Sequence, residues 1–277
     1  MGKIASIPDV ETDKDILEYR KNEIEYWRVI YRKIKGSTVD PGLKEFGPCT
    51  AFKIPGINIL AYNRVLNGAG PPDDLDSSLD EIIGYYRVSS IPRFFLQLNN
   101  YMNTPHCRDI LFKKGFIHYN DWTRLSRSTG LPVPESPGNL SVIPIGKTKA
   151  QLFAKTIVHS FDFPEILMPH FSATVGYKGY RHYLVYEGNN PIAGGALFVR
   201  NQYASMAIAG TLPEHRGKGA QGVLLRERIL QARAEGCRWI TVETSRETAE
   251  KKVASFRNMI RFGFNITYHR PNFIYYP

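Results

Sequence analysis

The chain has 277 residues, of which 43% are hydrophobic, 12% aromatic and 22% charged. That composition excludes disorder as the dominant state, and the length is enough to bury a core without disulfide staples. Lys and Arg outnumber Asp and Glu by 36 to 26, a formal charge of +10 that attracts anions without naming one.

No stretch approaches the ~20 apolar residues that span a bilayer. Asp9, Glu11, Asp13, Lys14 and Asp15 interrupt the N-terminus, so it has no signal-peptide core. Cys49, Cys107 and Cys237 are far apart, lack metal-ligand spacing and are odd in number, which argues against a disulfide framework. The seven histidines are equally scattered, so no metal site is expected. These features read as a reduced, cytoplasmic protein that does not enter a membrane. Met1-Gly2-Lys3-Ile4-Ala5-Ser6 fits the short, loose myristoylation pattern.

In chain order, Ile16 to Lys33 reads as a long helix mixing Tyr19, Ile24, Trp27 and Ile30 with charges. Asp73 to Tyr85 is a second helix with an acidic first turn, which suits the helix dipole. Arg93 to Leu98 reads as a strand and Pro105 to Lys114 as a helix. Residues 128–138 carry three prolines and two glycines, which exclude a helix or central strand and read as a linker. The expected division is therefore 1–127, a linker at 128–138, and 139–277.

Beyond the linker, Leu140 to Ile145 is a strand, Lys149 to Ser160 a helix, and a short helix follows Pro164. Tyr180 to Tyr186 and Ile192 to Val199 form a hairpin about Glu187-Gly188-Asn189-Asn190. Tyr203 to Ala209 is a strand, and Gly219 to Glu235 a helix burying Leu225, Ile229 and Ala232. Trp239 to Glu243 is a strand, Ala249 to Phe262 a helix and Phe264 to Tyr268 a strand. This is a mixed α/β layer about a central sheet. Both halves end on a helix closed by glycine and then phenylalanine, Gly115-Phe116 and Gly263-Phe264, 148 residues apart. With the linker, that pattern predicts an internal duplication.

The segment with most chemical content is Thr211-Leu212-Pro213-Glu214-His215-Arg216-Gly217-Lys218-Gly219-Ala220-Gln221-Gly222. A strand enters a glycine-rich turn that opens a helix. Glycines let backbone N–H groups converge, the helix N-terminus adds unpaired donors, and Arg216 and Lys218 add charge. That is a cradle for a pyrophosphate, or alternatively a tight turn with a solvated basic flank. The spacing is neither a Walker loop nor a dinucleotide fingerprint.

From Arg216 this segment resembles motif A of the GNAT acyltransferases, Arg/Gln-x-x-Gly-x-Gly/Ala, with Gln221 where the last small residue is usual and Gly222 next. The element order over 139–277 is also similar to GNAT, and the whole resembles a tandem GNAT protein with a degenerate N-terminal copy. The resemblance implies a GNAT fold, acetyl-CoA as cosubstrate and an amine acceptor. It implies that Arg216, Gly217, Lys218, Gly219, Ala220, Gln221 and Gly222 hold the CoA pyrophosphate. It further implies that pantetheine lies along Ala209, Gly210 and Thr211, in a gap where two strands splay, where the small residues Ala207, Ala209 and Gly210 would allow close approach. Asn67-Gly68-Ala69-Gly70-Pro71-Pro72, its counterpart in the first half, lacks cations and precedes Asp73, Asp74 and Asp76, so no second CoA site is expected. Ser255 and Asn258 are candidate cofactor contacts, and equally readable as surface or capping residues.

Direct attack by an amine requires a base, an oxyanion donor and relief of the leaving thiolate. Glu243 is the first candidate base and Glu187 the second, although either is also a plausible solvated carboxylate. Glu214 is read as shaping the turn. Met259 stands where many family members place a tyrosine, and Lys252 near a usual asparagine. Three functions therefore stay open: an acetyl-CoA-dependent N-acetyltransferase, a non-catalytic acyl-CoA binder or sensor, and a basic nucleic-acid binder. The last has little support, because Arg226, Arg228, Arg233 and Arg238 are spaced among Glu227 and Glu235 rather than massed.

Overall fold

A computed structural model describes residues 11–37, 40–67, 73–136 and 139–277. The myristoylation pattern at 1–6, the glycines at 68 and 70 and the last two linker residues lie outside them. The first half forms α1 (Asp13–Lys33), β1 (Gly42–Phe46), β2 (Cys49–Lys53), β3 (Arg64–Asn67), α2 (Asp73–Arg87), β4 (Phe94–Gln97), α3 (Pro105–Lys113) and β5 (Ile117–Ser128). The second half forms β6 (Ser141–Ile145), α4 (Ala150–Phe161), α5 (Met168–Ser172), β7 (Tyr180–Glu187), β8 (Asn190–Arg200), β9 (Tyr203–Thr211), α6 (Ala220–Ala234), β10 (Trp239–Ser245), α7 (Ala254–Arg261) and β11 (Asn265–Tyr275).

The chain divides into two compact units. One holds 24–124 with 268–277 (the N-terminal unit), and the other holds the residues up to 23 with 125–267 (the C-terminal unit). This is not a simple cut at 128–138. Both β5 and β11 are divided between the units, as is α1.

In the N-terminal unit the strand order is β1-β2-β3-β4-β11. β3 and β4 are parallel, and the last strand is supplied from the far C-terminus, with Asn272 opposite Gln97 and Tyr275 opposite Phe94. Leu75, Leu79, Ile82 and Tyr86 of α2 pack on Val65, Phe94, Leu96 and Phe273. Tyr86 stacks on Phe94 with ring centroids 3.9 Å apart. The strands β1 to β3 have no counterpart in the sequence reading; they are four or five residues long, and β2 and β3 are buried on both faces, so they show no alternation.

In the C-terminal unit the order is β5-β10-β9-β8-β7-β6, with β7, β8 and β9 an antiparallel meander. Leu225, Ile229 and Ala232 of α6 join Ile240, Val242, Phe262 and Phe264 in the core, as their spacing predicts. The other face of β9 and β10 meets the first half of α1: Asn22 Nδ2 donates to Ser205 Oγ at 3.1 Å, and Tyr203 hydroxyl donates to Asp15 at 2.8 Å. α1 opens on a reciprocal cap, in which Thr12 N donates to Asp15 and Asp15 N to Thr12 Oγ1.

The proline-rich segment after β5 is pinned down. The buried Arg127 donates to the carbonyls of Phe262, Ser128, Leu131 and Pro132, and Arg233 donates to those of Thr129 and Leu131. Carbonyls that prolines and turns leave without ladder partners thereby gain donors.

The expected duplication is visible in the order of elements: hairpin, strand, helix, parallel strand, helix, glycine turn, strand. Phe116 N donates to Leu111 O and Phe264 N to Met259 O, with Gly115 at φ +89° and Gly263 at +78°. The two helix ends are thus the same left-handed closure.

Two segments depart from the expected bounds. The helix expected from Ala249 starts at Ala254, because 246–253 is committed to a loop. Glu247 accepts from Val253 N and Arg257 Nε there, and Thr248 Oγ1 accepts from Lys251 N. The strand expected to stop at Tyr268 runs to Tyr275, where it serves the other unit.

Candidate active site

The site grows from one interruption of the sheet. β9 and β10 pair at Tyr203–Trp239, Ala204–Ile240 and Ser205–Thr241, and pairing then stops. Residues 206 and 208–211 of β9 keep their partners on β8 but have none on β10, so one edge of the strand is free. A register shift between Ala196 and Leu197 falls at the same level: Leu197 faces Met206 and Ala196 faces Ile208, with Ala207 the extra residue. Such a bulge adds local twist, which turns β9 away from β10.

The free edge leads into the glycine-rich turn. Gly217 (φ +80°) and Gly219 (φ +90°) both occupy the left-handed region, where a Cβ is strained. Gly219 is the N-cap of α6 and no side chain caps that end. Its carbonyl accepts from Gly222 N and Val223 N, so the helix amides before Gly222 point outward. Ala209, Gly210 and Thr211 thus lead through one 3-10 turn into the 216–222 loop.

Contacts within the chain bear on three residues of the loop and its approach. Gly210 is small because a Cβ there would come within 2.6 Å of Ser160 and 2.9 Å of Phe161, so α4 and not a ligand demands it. Gly222 has a similar reason, since its Cβ would meet Ser136 Oγ at 2.6 Å. Arg216 braces the turn, donating to Ser160 O at 2.8 Å and Thr211 O at 3.4 Å.

Lys218 Nζ lies 3.1 Å from both oxygens of Glu187, and His215 Nδ1 lies 2.9 Å from one of them. The hydrogen bond from Lys218, with His215 in support, holds the Glu187 carboxyl below the usual carboxylate range. A carboxylate so stabilised is a poorer base, which counts against Glu187 in that role. Glu214 lies in the single 3-10 turn between Thr211 and Arg216, where a shaping role was expected.

No family model matches this sequence, and no curated protein matches it. Solved structures do match. A GCN5-related N-acetyltransferase from Kribbella flavida is 16% identical, with 93% of this chain and 94% of that one covered and a TM-score of 0.65. One from Sphaerobacter thermophilus is 12% identical, with 85% and 82% covered and a TM-score of 0.63. A tandem GNAT protein from the clavulanic acid biosynthesis pathway is 12% identical, with 97% and 96% covered and a TM-score of 0.61.

The fold is GNAT, in tandem.

Within the GNAT frame, Glu243 sits on β10 two residues beyond the last pair with β9. Alternation puts it on the face of Thr241 and Ser205, opposite Val242 of the core. Thr244 faces the other way and hydrogen-bonds Ser255 of α7, Oγ1 to Oγ, at 2.6 Å. Asn258 donates to Gln221 Oε1, so the first turn of α6 and the middle of α7 are tied together. Ser255 and Asn258 are thus both brought to the splay. Thr244 and Ser160 carry no sequence signal that singles them out; Thr244 lies near the end of β10.

Met259 is buried in the core beside Phe262 and Phe264, and its counterpart Leu111 is a core residue of the N-terminal GNAT unit. Position 259 is therefore a packing position. Among the described residues, no helix is long and apolar enough to cross a membrane, and no group of His, Cys, Asp or Glu could hold a metal ion. All three cysteines are buried and free, and burial pushes Cys49 and Cys237 up to about 11.

Proposed function

We propose that the C-terminal unit binds acetyl-CoA and transfers its acetyl group to a primary amine by direct attack, in a reduced, cytoplasmic setting. One observation carries this reading: the free edge of β9 at 206–211 runs into an uncapped α6 N-terminus through two left-handed glycines. That puts free-edge amides of β9 at one end and unpaired helix amides at the other, suited to amides of a ligand and to a pyrophosphate respectively. Gly217, Lys218, Gly219, Ala220, Gln221 and Gly222 would hold the pyrophosphate, with Arg216 shaping the loop. Ala209, Gly210 and Thr211 would pair with pantetheine.

An alkylamine has a pKa near ~10 by analogy with lysine, so it must lose a proton before attack. Glu243 is assigned as the base, directly or through one water. A β9 N–H at the free edge is assigned to the developing oxyanion. The leaving thiolate belongs to a group of pKa near ~8.5 by analogy with cysteine, so a hydrogen bond to sulfur suffices. Ser255, which shares a hydrogen bond with Thr244, is assigned to it, and Met259 needs no replacement as a full acid.

The test is thermal stability with and without acetyl-CoA. Ligand at 100 times its Kd adds ~2.7 kcal/mol, a rise of roughly 5–10 °C for a chain of this size. Gly219→Glu places a carboxylate at the α6 N-terminus and should abolish the rise. Gly236→Ala, another left-handed glycine (φ +76°) with open space around it, controls for backbone strain and should keep it. No rise in the parent chain removes the reading. A rise without turnover on any amine favours the second reading, a non-catalytic acyl-CoA binder, which the buried Met259 supports.

A further inference from the structure

Arg228 lies in the middle of α6 and is 1% exposed. Among the described residues no carboxylate pairs with it. Its guanidinium donates only to carbonyls: Leu224 O at 3.1 Å, Ala196 O at 3.3 Å and Ile208 O at 3.5 Å. Burial without an anion pulls its pKa down to about 10. A buried charge is costly and is retained where something needs its donors.

Ala196 and Ile208 are not arbitrary acceptors. They face each other on β8 and β9, directly beside the register shift that makes Ala207 the extra residue. Ile208 also belongs to the part of β9 that has left β10. The neighbouring Gly195 sits against the guanidinium: a Cβ there would lie 3.5 Å from Arg228 Cζ, an ordinary contact, and a tighter 3.3 Å from Leu224. The bulge, the glycine and the guanidinium form one local arrangement. At a bulge the ladder is broken, and the carbonyls it releases must find donors.

We infer that Arg228 is a positioning residue: by clamping Ala196 O and Ile208 O across the β8–β9 bulge, it fixes the direction of the free-edge N–H groups of β9. The clamp stands on geometry alone, whereas its catalytic consequence rests on the acyl-CoA reading of that edge. An N–H aimed at a developing oxyanion must be preorganised, and small misplacements at such a group are expensive in rate. A purely stabilising role would not require charge, because well-packed apolar replacements of buried ions are often neutral or stabilising.

The experiment compares the parent full-length chain with Arg228→Met and Arg228→Lys by native-state amide exchange and by steady-state kinetics on a reactive amine. In Arg228→Met, exchange at those amides of 206–211 that are hydrogen-bonded to β8 should rise at least tenfold, while Tyr203 to Ser205 and Trp239 to Thr241 keep parental rates. The kcat should fall roughly 10–100-fold, with KM for acetyl-CoA within about threefold of the parent. Arg228→Lys keeps the charge and part of the donor set, so it should fall between the two and covers the case in which the Met variant fails to fold. Parental exchange at the β8-bonded amides of 206–211 in Arg228→Met overturns the clamp, as does a lysine variant equal to the parent on both readouts. A parent that neither binds acetyl-CoA nor turns over overturns the acyl-CoA reading instead, and the exchange rates still decide the clamp.

Discussion

Two parallel strand pairs, one in each unit, start alike and end differently. In the N-terminal unit β3 and β4 pair as far as Leu66–Gln97; in the C-terminal unit β9 and β10 pair as far as Ser205–Thr241. Two residues farther on, the C-terminal unit carries Glu243 and the N-terminal unit carries Asn99. Asn99 Nδ2 donates to the backbone and side-chain oxygens of Asn67 across the gap, and its Oδ1 accepts from Tyr101 N and Met102 N at 2.8 and 2.9 Å. One unit sews the strands together where the other lets them part. The same topology is thus used as scaffold in one place and as an opening in the other, and one residue position separates the two uses.

The largest test of this contrast is Glu243→Gln. If Glu243 is the base, kcat should fall about 100-fold or more while the acetyl-CoA-induced rise in Tm survives. A variant with parental kcat at every pH would remove Glu243 from the mechanism and weaken the meaning of the Glu243/Asn99 difference.

Asn99→Ala probes the closed side. It removes a buried group with at least four hydrogen bonds and strands those of Asn67, so stability should drop by about 2–3 kcal/mol. Calorimetric titration with acetyl-CoA should still give one site per chain, because opening the gap does not supply a cationic glycine loop. Two sites per chain, in the parent or in this variant, would break the comparison.

How far the sequence foretold this contrast depends on the kind of signal. The glycine turn was legible because φ near +80° or +90° selects glycine so strongly that it shows in the letters. The periodic faces of α6 and the paired helix closures at Gly115 and Gly263 were legible for the same kind of reason. What was not legible depends on partners distant in the chain. Gly210 looked like room for a ligand and is room for Ser160 of α4. The contacts of Glu187 with His215 and Lys218 join residues 28 and 31 apart in the chain. The exchange of β11 into the N-terminal unit leaves no local pattern at all, since a strand reads the same whichever neighbour it joins.

The units should also differ in acid. His182 of β7 is buried against Phe153 and Tyr180, with Thr174 Oγ1 3.2 Å from Nε2, and burial pulls its pKa down to about 3. The folded pKa lies below the unfolded value near ~6.5, so the fold holds the neutral ring. That stability is complete above ~6.5 and erodes as pH falls from there toward 3, by about 1 kcal/mol per unit. Denaturation between pH 7 and 4.5 should show this slope in the parent and a flatter one in His182→Gln. Equal slopes would mean that the ring protonates without unfolding cost.

The smallest expected effect concerns Glu187, and it separates the two carboxylates most cleanly. Glu187 already occupies Lys218, so an incoming diphosphate must displace it or share the ammonium. Glu187→Gln frees the cation, and acetyl-CoA should bind about two- to fivefold tighter at low salt. Surface charges are screened beyond a few ångströms at 1 M ionic strength, so the gain should vanish there. A gatekeeping Glu187 thus predicts a salt-dependent change in Kd. A catalytic Glu187 predicts the opposite pattern, a kcat loss of about 100-fold with Kd unchanged. That second outcome would move the base from β10 to the β7–β8 turn, and Glu243 would then be no more a functional residue than Asn99 is.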